Sequence, residues 1–101
     1  MGLDFAIDEL YQTGWTAGEA SGCRRDAAGR LYPSAQRVAR ECADAGLRFT
    51  VRHIQLFSCY RAEWVDAAGE TRGAVVGQTE DEAAVYALAQ LRRSHEPAVA
   101  G

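Results

Sequence analysis

His53 and Cys59 are close enough in the sequence to make a nucleophile and its base, the pairing by which a thiolate attacks an acyl group. That chemistry needs a third group to orient the imidazole, and no residue is marked for the task. Cysteine is among the most often buried residues, so the plainer reading is a buried thiol beside a strand-end histidine. Cys23, Cys42, Cys59, His53 and His95 could ligate a metal only by converging from widely spaced positions, without the close ligand pairs that such sites draw on. Glu80, Asp81 and Glu82 could hold a divalent cation or work as paired carboxylates, but helix capping accounts for all three. No catalytic residue, metal ligand or cofactor is therefore assigned. The chemistry that remains is recognition. Arg48 and Arg52 share one strand face, with Arg61 or Arg72 placed to lie across from them and Thr50 and Tyr60 close by. That combination could take an anion or a single nucleic-acid strand, while Glu63 and Glu70 would balance it as an ordinary solvated face. Trp15, a large aromatic among small loop residues, is either packing or an anchor for a partner protein.

The apolar pattern sets out the elements that must position these groups. Leu3, Ala6, Ile7 and Leu10 recur at helical spacing, with Gly14 to close the helix. That helix can dock on its own domain or on a second copy. Asp26-Ala27-Ala28-Gly29 and Asp66-Ala67-Ala68-Gly69 are the same turn twice. Aspartate opens a type I turn and glycine supplies the positive φ that follows, so each predicts a hairpin, the first between very short strands. Ser34 caps a second helix with Ala35, Val38, Ala39, Cys42 and Ala43 on its apolar face and Arg37, Arg40, Glu41 and Asp44 opposite. Leu47 to Phe57 alternates as a strand until the apolar phase shifts at Ile54 and Leu56, which predicts a bulge, a bend or a strand end. Ser58 to Asp66 puts Tyr60, Ala62 and Trp64 on one side and Cys59, Arg61, Glu63 and Val65 on the other. Thr71 to Gln78 is the last strand, which Gly73 and Gly77 are expected to weaken. Thr79 and Glu82 form a capping box for a helix whose buried stripe is Ala84, Ala87, Leu88 and Leu91. Residues 95–101, with Pro97, read as a flexible tail.

At 101 residues there is room for one domain with a modest core. A net charge of −3 and a pI near 5.3 give no global attraction to nucleic acid or to an anionic membrane. Every cation is arginine, the usage of a GC-rich bacterial genome, and the lack of lysine removes Schiff-base chemistry. An odd, scattered set of cysteines suits a reducing cytosol better than a disulfide framework. With no basic, apolar leader and no long apolar run, the expected location is cytoplasmic, without membrane association.

From Pro33 to Arg93 the order helix, three antiparallel strands, helix resembles the double-stranded RNA-binding domain. The local match is Gly77-Gln78-Thr79-Glu80-Asp81-Glu82-Ala83-Ala84 with Ala87-Leu88 after it, against that family's Gly-x-Ser-Lys-Lys-x-Ala-Lys and following Ala-Ala. The small and apolar positions agree. The lysines that grip phosphate in that family are replaced by Glu80, Asp81 and Ala84, so the resemblance implies the scaffold and not its ligand. Double-stranded RNA is not an expected partner. Gly77, Thr79, Glu82 and Ala83 are also similar to the helix start of HicB-type antitoxins, a family that binds a protein partner.

The expected fold is α+β: an α-β-β-β-α core with two helices on one face of a three-stranded antiparallel sheet, preceded by an N-terminal helix and short hairpin. Residues 1–94 are read as one domain, 1–32 as its extension and 33–94 as its core. The leading expectation is a non-enzymatic protein-interaction or regulatory module, engaging a protein partner or its own copy as a homodimer, with Trp15, Arg48, Arg52 and Arg61 as candidate contacts. A nucleic-acid-binding module using the arginine face comes second, and a small Cys/His enzyme third.

Overall fold

A computed structural model describes residues 2–94 and gives the α+β architecture expected. Helix α1 (Leu3–Gln12) leads through a loop to a hairpin of β1 (Cys23–Arg25) and β2 (Leu31–Pro33), then to α2 (Ala35–Asp44). Strands β3 (Arg48–Ile54), β4 (Cys59–Val65) and β5 (Thr71–Gly77) form an antiparallel sheet in that order, and α3 (Glu80–Ser94) completes the described chain. The tail expected over residues 95–101 lies outside the described residues.

The local signals act as their chemistry requires. In both Asp-Ala-Ala-Gly turns the glycine has a positive φ, 86° at Gly29 and 87° at Gly69, and its N–H donates to the aspartate carbonyl. The Asp26 and Asp66 carboxylates accept from the Ala28 and Ala68 N–H groups respectively. Ser34 accepts from the Arg37 N–H at 3.2 Å, and Thr79 from the Glu82 N–H at 3.1 Å. Gly46, at φ 81°, ends α2 with the paired bonds Leu47 N–H to Cys42 and Gly46 N–H to Ala43 that define a Schellman closure.

Helices α2 and α3 lie on one face of the sheet, against Phe49, Val51, Ala62, Trp64 and Val75. Helix α1 docks on its own domain, across α3, through Ala6, Ile7 and Leu10. The consequence for α3 is burial nearly all round. Ala83, Val85 and Ala89 are fully enclosed along with the expected Ala84, Ala87, Leu88 and Leu91, because a second apolar layer covers the side away from the sheet.

Gly73 and Gly77 are not weak points of β5. A Cβ at Gly73 would stand 2.1 Å from the Trp64 ring, and one at Gly77 would stand 2.6 Å from the Ala83 backbone nitrogen. The first glycine lets the indole lie across the neighbouring strand, and the second lets the α3 backbone sit directly on β5. Gly77→Ala is expected to cost about 2 kcal/mol, the usual range for forcing a methyl into a filled contact, seen as a lower urea midpoint at unchanged slope.

Arg37 departs from the solvated position expected of it. It is only 7% exposed, and its guanidinium donates to the carbonyls of Ala17 (2.5 Å), Glu19 (3.1 Å) and Ser21 (2.6 Å), to Cys23 Sγ (3.3 Å) and to Glu41 Oε2 (2.8 Å). A planar donor fork can satisfy a bent loop in this way, so the charge is buried fully partnered.

Asp26 ties the first hairpin together by accepting from the Arg30 N–H at 2.8 Å and from its guanidinium at 3.0 Å. Burial works against its ionisation, but the backbone and side-chain donors of Arg30 outweigh that and hold the carboxyl below its ordinary 3.8. A lowered folded value stabilises fully above 3.8 and is lost as pH falls from there through the folded pKa. Asp26→Asn should therefore be less stable than the parent near neutrality, with the gap in thermal midpoint closing as pH falls below 3.8.

Candidate interaction surface

The face of the β3–β4–β5 sheet opposite the helices is uncovered among the described residues. Register decides what it carries. Arg52 lies opposite Arg61, Thr50 opposite Glu63, and Ile54 opposite Cys59, and these residues alternate with the core-facing set. Arg48 and Arg52 are exposed, and among the described residues neither has a carboxylate partner within 4.0 Å. Arg61 is bridged to Glu63 at 2.8 Å, and Arg72 reaches Asp66 at 3.6 Å. Of the cross-strand pair Arg52 and Arg61, Arg61 is compensated by Glu63 and Arg52 is left free to meet an anionic group. Tyr60 projects to the other face, where it packs at a tilt against His53 with ring centroids 4.9 Å apart. Tyr60 therefore offers the arginine face no platform for a base, which weakens the single-strand reading that drew on it.

The apolar phase shift near Ile54 is a strand end. Gln55–Phe57 form a 3₁₀ turn closed by Ser58 in the left-handed region at φ 50°, a conformation disfavoured for any residue but glycine and its few substitutes. The turn lifts Leu56 and Phe57 into solvent, 83% and 72% exposed, at the end of the strand pair that carries Arg52 and Arg61. Sequence reasoning did not name these two residues as contacts. The signal was there: two large apolar side chains at a break in strand phase have no core to enter.

Trp15 is placed differently from a loop anchor. It is 4% exposed within the core, near Tyr11, and its indole N–H shares the Glu41 carboxylate at 3.3 Å to each oxygen. Burial leaves it packing and bonding, with no surface for a partner. His53 and Cys59 do not converge either. His53 pairs with Tyr60 and Cys59 with Ile54, so the two side chains leave opposite faces of the sheet. Among the described residues no three His, Cys, Asp or Glu side chains are grouped to hold a metal ion, and His95 lies outside them.

The acidic start of α3 is largely spent within the fold. Asp81 accepts from the Ala35 N–H at 3.2 Å and pairs with Arg24 at 2.9 Å, binding the first turns of α2 and α3 and the β1 strand to one another. Buried Glu82 accepts from the Gln78 N–H at 3.2 Å. The N-terminal end of α3 therefore carries two carboxylates, Asp81 and Glu82, fixed in place.

No family model, curated protein or solved structure matches the chain. The geometry alone carries the functional argument.

The three thiols differ in environment. Cys42 is buried against the core, and burial, aided by the Glu41 charge, pushes its pKa up to about 11. Cys23 and Cys59 are partly exposed. A thiol-exchange reagent should label at most these two in the folded protein, with Cys42 reacting only as the chain unfolds. Prompt labelling of Cys42 would contradict its placement.

Proposed function

We propose that this chain is a non-enzymatic interaction module that engages a partner protein through the β3–β4 turn and the adjoining uncovered sheet face. The observation that carries this reading is the exposed Leu56–Phe57 pair on a turn held by left-handed Ser58, beside unpaired Arg52. Large apolar groups joined to arginine are what the centre of a protein interface is made of. Leaving both apolar side chains in water forgoes about 1.5–3 kcal/mol apiece, and a turn has cheaper residues available when nothing is to be bound.

Charge defines the partner's chemistry. Residues 47–62 contain three arginines and no carboxylate, in a chain whose net charge is −3. The complementary surface is acidic, with an apolar recess for Leu56 and Phe57. A two-fold copy docked on this same face would set Arg48, Arg52 and Arg61 against themselves, so the occupant is a different protein. The fixed carboxylates at the start of α3 weigh against double-stranded RNA. Three free thiols suit the reducing cytoplasm as the place of action. Among the described residues no helix is long and apolar enough to cross a membrane.

Capture from nuclease-treated lysate of the source cells tests the reading, with the parent chain compared against Phe57→Asp and Arg52→Glu. The expected result is one protein retained by the parent and lost from both variants, with Phe57→Asp costing about 2 kcal/mol or more of binding. Added salt should weaken the complex through the loss of the Arg52 contribution. Recovery of nucleic acid alone, or equal capture by Phe57→Asp, would refute it.

A further inference from the structure

The sheet has two edges, and they are treated differently. β3 carries Arg48 and Arg52, charged residues of the kind with which proteins block edge-to-edge pairing. β5 is seven residues long with a single charge, Arg72, placed beside the irregularity where Val65 pairs with Thr71. Beyond that bulge the strand runs Gly73-Ala74-Val75-Val76-Gly77, uncharged and free of proline. Its outer edge has no neighbour among the described residues. Beside it runs a groove of about 530 Å³ between β5 and α3, lined by Val75, Val76, Gly77 and Tyr86 among others. Val76 is 55% exposed, and Phe5, 48% exposed, leans on the Tyr86 ring at 6.4 Å.

We infer that β5 pairs antiparallel with β5 of a second copy, joining two sheets into one of six strands. The strand is complementary to itself under a two-fold axis. Pairing centred on Ala74 sets Gly73 opposite Val75 of the copy and Arg72 opposite Val76, so the one charge on the strand never meets its own image. Large side chains meet small or apolar ones, and the open backbone N–H and C=O groups of both edges find partners. Of the flanking carboxylates, Glu9 is paired with Arg93 at 3.0 Å and Glu82 is held by the Gln78 N–H at 3.2 Å. An apolar edge with one charge that never meets its own image suits a second copy in the way that the arginine face does not. Edge pairing leaves that face open, so the dimer presents two copies of it side by side. The inference rests on the β5 edge alone and is independent of the partner proposed for the β3–β4 turn.

Sedimentation equilibrium of the full chain over a wide concentration range tests it, with amide exchange followed in parallel. The expected result is a species of twice the 11.0 kDa chain mass. Exchange across Thr71–Gly77 should slow as concentration rises. Val76→Lys and Phe5→Glu, both at exposed positions, should each weaken the dimer at least about tenfold, while Phe57→Asp leaves it unchanged. A monomer at every concentration overturns the inference. So does a dimer indifferent to Val76→Lys, or one whose β5 amides exchange at a rate independent of concentration. A monomer that instead takes up a strand from another protein at this edge overturns the second copy as occupant.

Discussion

A methyl group at position 77 would stand 2.6 Å from the Ala83 nitrogen, so β5 and the first turn of α3 meet as bare backbone on backbone. That approach sets the distance between helix and sheet. Small residues line much of the helix, with Ala83, Ala84, Ala87 and Ala89 all enclosed alongside Val85, Leu88 and Leu91. The Trp64 ring fills the remaining depth by lying over Gly73. An alanine-rich helix seated this low also leaves room on its far side, and α1 takes it with Ala6, Ile7 and Leu10. The N-terminal segment is thereby part of the core, because without α1 the side of α3 away from the sheet would face water.

Two polar ties hold the same arrangement at its ends. Arg37 gathers three loop carbonyls and Glu41, which in turn receives the Trp15 indole, so the stretch between α1 and β1 is anchored through one buried guanidinium. Asp81 links the starts of α2 and α3 to Arg24 of the hairpin. Much of the acidic charge is consumed in such ties, while Arg48 and Arg52 remain without carboxylate partners among the described residues. The chain's negative balance and its basic sheet face coexist because most ion pairs form elsewhere and Arg48 and Arg52 take no part in them. Function and fold meet there: apolar material is drawn to α3, and what is left exposed is unpaired arginine on the other side of the sheet with Leu56 and Phe57 in the turn at its end.

Element order, turns and caps were readable because each is governed by neighbours in sequence. Asp26 and Asp66 needed only the glycines three residues on, and Thr79 needed only Glu82. The strand faces of Arg48, Arg52 and Arg61 followed from alternation. What was not readable depends on partners distant in sequence. Arg37 looks like a surface residue until the loop from Ala17 to Ser21 closes over it. Trp15 looks like a loop aromatic until Glu41 accepts its N–H. Gly73 and Gly77 look like flaws in a strand until Trp64 and α3 are laid on them. The burial of α3 nearly all round was hidden because the stripe Ala84, Ala87, Leu88 and Leu91 marks only one of its two covered sides. Leu56 and Phe57 were visible only as a break in phase, and their exposure followed from Ser58 adopting a conformation the sequence does not advertise.

The central claim is that apolar material encloses α3 on both sides and leaves the opposite sheet face bare. Solvent relaxation enhancement by a neutral paramagnetic cosolute, read on assigned side-chain resonances of the free protein, tests it directly. The account predicts that Val85, Ala87 and Ala89 are shielded throughout while Thr50, Leu56 and Phe57 relax at the rate of freely accessible groups. Strong relaxation of Val85 and Ala89 would show that α1 does not cover the helix, and shielding of Leu56 and Phe57 would show that the free chain buries its own proposed contact surface; either result contradicts the account.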